Sequence, residues 1–278
     1  MTSSLRNITN PDFSNPAFFS RVNEILLGTF KWNYVLLEGK IDLLILEKFF
    51  SDKVKPINTG SKNNVKKMME IISKSKTNVI GICDLDYDKP DNSSLHIFYY
   101  DFNNLEMMLI QDDSIFYDDA FSFLGIDACE IIQAKKDTLI ELYPLSIFRR
   151  IKSSFGLMGP VDDVCPSTDL YKRQTPLQNA TAIEYNILNR LTELPSADRI
   201  NIAKSYRGEY LKTPMDFYGN TRGHDFIKLF CEKVNCQNES LIYDAFSKSF
   251  LAKYLTKTSI YLNIKKYEKM EIVSFLLI

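Results

Sequence analysis

The sequence predicts an α/β protein, with a mainly parallel, Rossmann-like sheet flanked by helices and an additional mostly helical C-terminal region. Three observations predict it. Short apolar runs of about five residues alternate with segments of helical periodicity between residues 34 and 110, the pattern of βαβ units. Two of these runs, in YVLLEGKIDLLILEKFF (34–50) and VIGICDLDYD (79–88), stop at acids, as buried parallel strands do when they deliver side chains to the carboxyl edge of a sheet. After about residue 112 strand candidates become few and helical periodicity lengthens.

In chain order, residues 15–29 place Phe18, Phe19, Val22, Ile25 and Leu26 at helical spacing behind a proline, which predicts a first helix. YVLLE (34–38) is a strand, IDLLILEKFFS (41–51) a helix, VKPIN (54–58) a second short strand and KNNVKKMMEIISKS (62–75) a second helix of the alternating part. TNVIGICD (77–84) is apolar enough to be a central strand. After the polar turn at 86–94, LHIFYYD (95–101) gives a fourth strand and FNNLEMMLI (102–110) begins another helix. Beyond these, 115–124, 138–154, 178–193, 222–234, 239–252 and 260–274 carry helical periodicity, and the Gly- and Pro-punctuated stretch 156–176 is a linker or insertion. The expected organisation is a helical lead-in over 1–33, a catalytic core over 34–112 and a mostly helical region over 113–278.

The chain has 278 residues, 45% of them hydrophobic, enough for one large core or two modest ones. Basic and acidic residues nearly balance, 34 against 35, which excludes the strongly basic footprint of a protein that coats nucleic acid non-specifically. Local basic clusters remain at Lys62, Lys66 and Lys67, at Arg149, Arg150 and Lys152, and at Lys265, Lys266 and Lys269; each is a solvated helix face or a contact surface. Five cysteines show no paired framework and, with two histidines in the chain, argue for reduced thiols in a cytoplasm rather than a zinc site. The N-terminus lacks an apolar signal segment, and no run approaches the length of a membrane helix. The apolar ending EIVSFLLI docks internally or on a partner.

The chemistry concentrates in the two acidic islands. Hard divalent cations take oxygen ligands, usually one or two protein carboxylates with water and phosphate. Glu38 at one strand end and Asp84-x-Asp86 at another supply that set, and an extended segment would point Asp84 and Asp86 to one side. Carboxylates so gathered repel unless a cation or a proton neutralises them; the competing account of Asp-x-Asp is turn and cap chemistry. Gly39 permits a sharp turn after Glu38 and close approach of a phosphate. Lys40 is placed to contact phosphate as a point charge, or else is a surface lysine opening a helix. The chain lacks a Walker-type phosphate loop, since TGSKNN (59–64) has the wrong spacing.

An acid before glycine ending a first strand, followed some forty residues later by Asp-x-Asp ending another, resembles the TOPRIM domain of topoisomerases, primases, small ribonucleases and OLD-family nucleases. The segments YYDFNNLEMML (99–109) and RGHDFIKLF (222–230) resemble more narrowly the TOPRIM nuclease family that includes AriB, the effector of the PARIS anti-phage system. The likeness covers residues 34 to about 110, and the C-terminal half only through the second segment; Ile41 stands where that superfamily often has Ser or Thr.

The resemblance implies an endonuclease whose Mg²⁺, with Mn²⁺ as a substitute, is held by Glu38, Asp84 and Asp86, with Glu38 also a candidate general base or acid. It matches Asp101 and Glu106 to an acid pair after the fourth strand, Glu106 being a further metal ligand or a helix N-terminal acid. It matches Gly223, His224 and Asp225 to a motif opening a C-terminal helix, with His224 in a substrate-binding role or, together with Asp225, in a capping one. It further implies a toxic effector cleaving RNA, transfer RNA included, with a DNA-cleaving OLD-type nuclease as the alternative; the effector is restrained by an ABC-type ATPase partner of the AriA kind, released on phage infection and active as a homodimer. Two other classes compete: a non-catalytic partner-binding subunit that kept the shell, and a nucleotide-sugar transferase. Retained, mutually repelling acids argue against the first, and 33 residues before the first strand are too few for the second.

Overall fold

The computed structural model describes residues 16–28, 32–87, 96–154, isolated helical positions between 178 and 206, and 217–277. The expected linker at 156–176 and most of the turn at 86–94 lie outside these residues. Along the chain run α1 (Pro16–Leu27), β1 (Asn33–Leu37), α2 (Lys40–Leu46), β2 (Val54–Asn58), α3 (Lys62–Ile72), β3 (Val79–Cys83), β4 (Ile97–Tyr99), α4 (Leu105–Ile110), α5 (Ala128–Ser154), α6 (Phe217–Asn220), α7 (Gly223–Lys233), α8 (Glu239–Ser249), α9 (Ala252–Leu255) and α10 (Ser259–Glu271). They form two compact units, one from the described residues up to Leu105 together with 246–277, the other from 106–245.

In the first unit the four strands form one parallel sheet in the order β2-β1-β3-β4. The chain therefore steps from β1 to one side, then back across β1 to reach β3. Right-handed crossovers in opposite directions put their helices on opposite faces of the sheet. Side-chain alternation agrees: Tyr34, Leu36, Val79 and Cys83 pack with Val65, Met68, Met69 and Ile72 of α3 and with Val22 and Ile25 of α1. Val35, Leu37, Ile80 and Ile82 alternate with these and are equally buried. With both faces covered, β1 and β3 are the near-continuous apolar runs that such strands require.

Close packing of α3 explains Gly81 at the middle of β3. A Cβ there would lie 2.6 Å from Val65 Cγ1 and 3.3 Å from Ile97 Cγ1, so a side chain at this position would displace the helix. Ser61 caps α3 by accepting from the Asn64 amide.

The apolar C-terminal segment docks internally. Leu276 bridges Phe50 in antiparallel fashion, Ser51 N donates to Phe275 O and Leu277 N to Phe49 O. Buried Glu268 accepts from the amides of Phe275 and Leu276 at 2.6 and 2.8 Å while pairing with Lys265. The αL geometry of Ile272 (φ 55°) turns the chain out of α10 into this segment.

In the second unit, α5 packs against α6 and α7 through an apolar face crossed by polar pairs. Arg149 bridges Asp225 at 3.0 Å, Arg150 donates to Asn220 and Lys233 to fully buried Glu141. The predicted helix over 115–124 is instead two 3-10 turns, Asp113–Tyr117 and Asp119–Leu124. Asp112 and Asp118 accept amides only two residues on, and Gly125 in αL ends the second turn. Cys231 and Cys236 sit two residues before and three residues after the end of α7; the Cys236 N to Cys231 O bond of 2.8 Å is the long closing bond of a helix C-cap. Among the described residues no helix is long and apolar enough to cross a membrane.

Candidate functional site

The strand order reverses between β1 and β3, so the crevice beyond their carboxyl ends is the switch point at which open α/β sheets bind ligands. Glu38 follows β1 there and Asp84 follows β3. The two residues are tied directly, since the Asp84 amide donates to Glu38 Oε1 at 2.8 Å. Asp84 Oδ1 in turn accepts from the Leu105 amide at 3.2 Å.

Asp86 arrives by a different route from the extended Asp-x-Asp that the sequence suggests. β3 ends at Cys83, and Asp86 and Tyr87 both adopt left-handed backbone conformations, with φ of 51° and 67°. Consecutive non-glycine residues in αL cost roughly 1–2 kcal/mol each, so the turn must be held from outside. Buried Asn103 holds it: its carbonyl accepts the amides of Leu85 (2.9 Å) and Asp86 (3.1 Å), and its side-chain Oδ1 accepts the Tyr87 amide (2.9 Å). Lys62, at the start of α3, donates to Leu85 O at 2.7 Å and lies 3.6 Å from Asp86 Oδ2.

The result is a group of three carboxylates, Glu38, Asp84 and Asp86, each offering an oxygen within 4.8 Å of the others. Burial pushes the Glu38 carboxyl up to about 7, opposed by the Asp84 amide and reinforced by the charges of Asp42 and Asp86. A buried acid among acids keeps a proton unless a cation replaces it. Three hard oxygen donors at one strand edge, one of them held back from ionisation chiefly by burial, could hold a divalent cation.

Behind Glu38, Gly39 has an extended backbone (φ −141°, ψ −179°) that any residue can adopt. Its glycine serves close approach rather than a sharp turn: the Gly39 amide donates to Asp42 Oδ2 at 2.9 Å, and a Cβ would lie 3.2 Å from that oxygen. Tyr100, fully desolvated, donates its hydroxyl to Asp42 Oδ1. Burial, reinforced by this contact with Asp42, holds the phenol well above its ordinary range.

The other residues singled out by sequence take different places. Lys40 is exposed at the first position of α2. Glu106, in the first turn of α4, accepts from the Tyr243 hydroxyl at 2.9 Å and is not one of the three grouped acids. Asp101 caps α10 by accepting the amides of Ser259 and Ile260. His224 is exposed in the first turn of α7, and Asp225 of the same turn pairs with Arg149. His96 has φ 53° just before β4, with Nδ1 3.1 Å from the Tyr267 hydroxyl. The basic clusters are not uniformly solvated faces: Arg149, Arg150 and Lys265 are paired within the fold, and Lys62 lies among the acids.

Asn103, Tyr100 and Lys62 are the supporting residues that sequence reasoning missed. Asn103 lies in the quoted FNNLEMMLI segment, where two adjacent asparagines ahead of a helix were the only available signal. Comparison with protein-family models gives no match for this chain, and comparison with curated proteins gives none of significance.

Proposed function

We propose that this chain is a divalent-metal-dependent phosphodiesterase of the TOPRIM nuclease type. The observation that carries the reading is the convergence of Glu38, Asp84 and Asp86 to within 4.8 Å at the strand-order reversal of a parallel sheet. Glu38, Asp84 and Asp86 would hold the cation, which, when bound, supplies charge stabilisation for a scissile phosphate and a more acidic water. The chain's own residues account for the remainder. Asn103 and Lys62 fix the Asp86 turn, the Asp84 amide orients Glu38, and Asp42 with Tyr100 fixes the backbone behind it. Hydrolysis joins the water oxygen to phosphorus and breaks the bond to the leaving oxygen. One proton of the water ends on that leaving oxygen and the other is released as the new phosphate monoester ionises.

Through the resemblance of residues 34–110 and 222–230, the reading extends to a toxic effector of an anti-phage system that cuts RNA, transfer RNA included, under restraint by an ABC-type ATPase. The near-balanced charge supports a substrate engaged locally rather than by a broad basic surface.

The test is incubation of purified protein with total RNA and with plasmid DNA, in Mg²⁺ or in excess chelator, for wild type and Glu38→Gln. Cleavage that needs Mg²⁺ and is lost in the variant is the expected result, with RNA cut in preference to DNA. Cleavage that survives the substitution or the chelator would overturn the reading, as would an absence of cleavage from a wild-type protein that also binds no Mg²⁺.

A further inference from the structure

We propose that Lys62 is the second positive charge of a one-ion site: its ammonium, fixed beside Asp86, stands in for the second metal of two-ion nucleases. This inference rests on the functional reading above. The Lys62 side chain is 11% exposed although it opens a surface helix, while Asp86 remains 48% exposed. A cation at the first position of a helix opposes the macrodipole, so local helix chemistry does not favour a lysine there. Three of its partners lie at or beside the site: Leu85 O at 2.7 Å, Asp86 Oδ2 at 3.6 Å, and the face of the Tyr99 ring, with the ammonium 5.8 Å from its centre.

The charge balance points the same way. Among the described residues one group of three acids is suited to a metal, and two other described acids near the carboxyl ends of the strands are committed to the fold. Asp42 accepts from Gly39 and Tyr100, and Asp101 caps α10. The three grouped carboxylates, once all are ionised, less the Lys62 ammonium leave a charge that a single divalent cation neutralises, with Asp42 a further acid acting on Glu38 from behind. A second ion roughly 3.5–4 Å from the first would compete with Lys62 for Asp86. With one ion held by the three acids, the Lys62 ammonium beside Asp86 would supply the second positive charge toward a bound phosphate and would stabilise the charge that grows there.

Two substitutions separate this role from a purely structural one. Lys62→Gln removes the charge and keeps a donor for Leu85 O, and Lys62→Arg keeps the charge. Free Mn²⁺ is followed by its electron paramagnetic resonance signal, with thermal melts in chelator as a check on folding. Wild type is expected to bind one Mn²⁺ per chain. Lys62→Gln should bind it about fivefold or more tightly, because a repelling charge a few ångströms away is gone, while cleavage falls by about 100-fold. Lys62→Arg should keep Mn²⁺ affinity within about twofold and retain most cleavage. Two Mn²⁺ per wild-type chain, or weaker Mn²⁺ binding by a folded Lys62→Gln, would overturn the proposal. If Lys62→Gln fails to fold, Lys62→Arg and the wild-type stoichiometry decide it. A wild type that binds no Mn²⁺ would instead sink the functional reading on which the proposal stands.

Discussion

Glu38→Gln should stabilise the metal-free protein at alkaline pH, because the proton that Glu38 holds is retained by the fold against the pull of solvent. The carboxyl is pushed from its ordinary 4.5 to about 7, chiefly by burial. A raised carboxyl makes the folded state bind a proton that the unfolded chain releases. The corresponding stability is fully present below pH 4.5 and is lost as pH rises through 7. At ~1.4 kcal/mol for each tenfold in proton affinity, the loss is ~3 kcal/mol, reduced to about 2 kcal/mol by the part of the side chain still in contact with water. Glutamine keeps an oxygen for the Asp84 amide and cannot ionise. Urea unfolding of wild type and Glu38→Gln in chelator, at pH values from 5 to 9, should give curves that nearly coincide at pH 5 and separate by about 2 kcal/mol at pH 9, the variant being the more stable. Mg²⁺ should reverse the order at pH 8 by stabilising wild type alone. Parallel curves across this range would refute the claim that Glu38 is the strained, proton-holding member of the group.

Three further outcomes follow from the supports of the site and the sheet. Asn103→Ala removes the acceptor of the Tyr87 amide in a half-buried turn and should cost about 1 kcal/mol, with Mg²⁺ binding weakened; unchanged Mg²⁺ affinity by calorimetry would show that Asp86 does not depend on this turn. Gly81→Ala forces a methyl against Val65 Cγ1 and should destabilise by about 1–3 kcal/mol. Adding Val65→Ala should recover part of that loss in a double-mutant cycle, and strict additivity would place the strain elsewhere. Glu268→Ala removes the acceptor shared by the Phe275 and Leu276 amides and should speed amide exchange across 275–277 by an amount equivalent to about 2–3 kcal/mol. Exchange at the wild-type rate would mean that the Phe50 bridge alone holds the segment.

The parts of this molecule that were legible in the sequence are those decided by neighbours in the chain. The spacing of Val65, Met68, Met69 and Ile72 marked α3, and apolar runs ending at Glu38 and Asp84 marked β1 and β3 with an edge between them. Strand ends are local features, so which acids reach the crevice was readable. Their orientation was not, because it depends on donors far away in sequence: the Asp84 amide is 46 residues from Glu38, Lys62 is 23 from Leu85, and Asn103 is 16 from Tyr87. The same reason left Lys62 open between a solvated face and a contact surface, and left Asp101 as an acid after the fourth strand with no stated partner, when its partners are amides 158 and 159 residues later. Asp-x-Asp illustrates the difference most sharply. An extended strand would have aimed both side chains alike by simple alternation, whereas Asp86 reaches the group only because two αL residues are held in place by Asn103 and Lys62. A site assembled this way can lose its third ligand without losing a carboxylate. Substitution of Asn103 should therefore weaken cation binding while Glu38, Asp84 and Asp86 all remain.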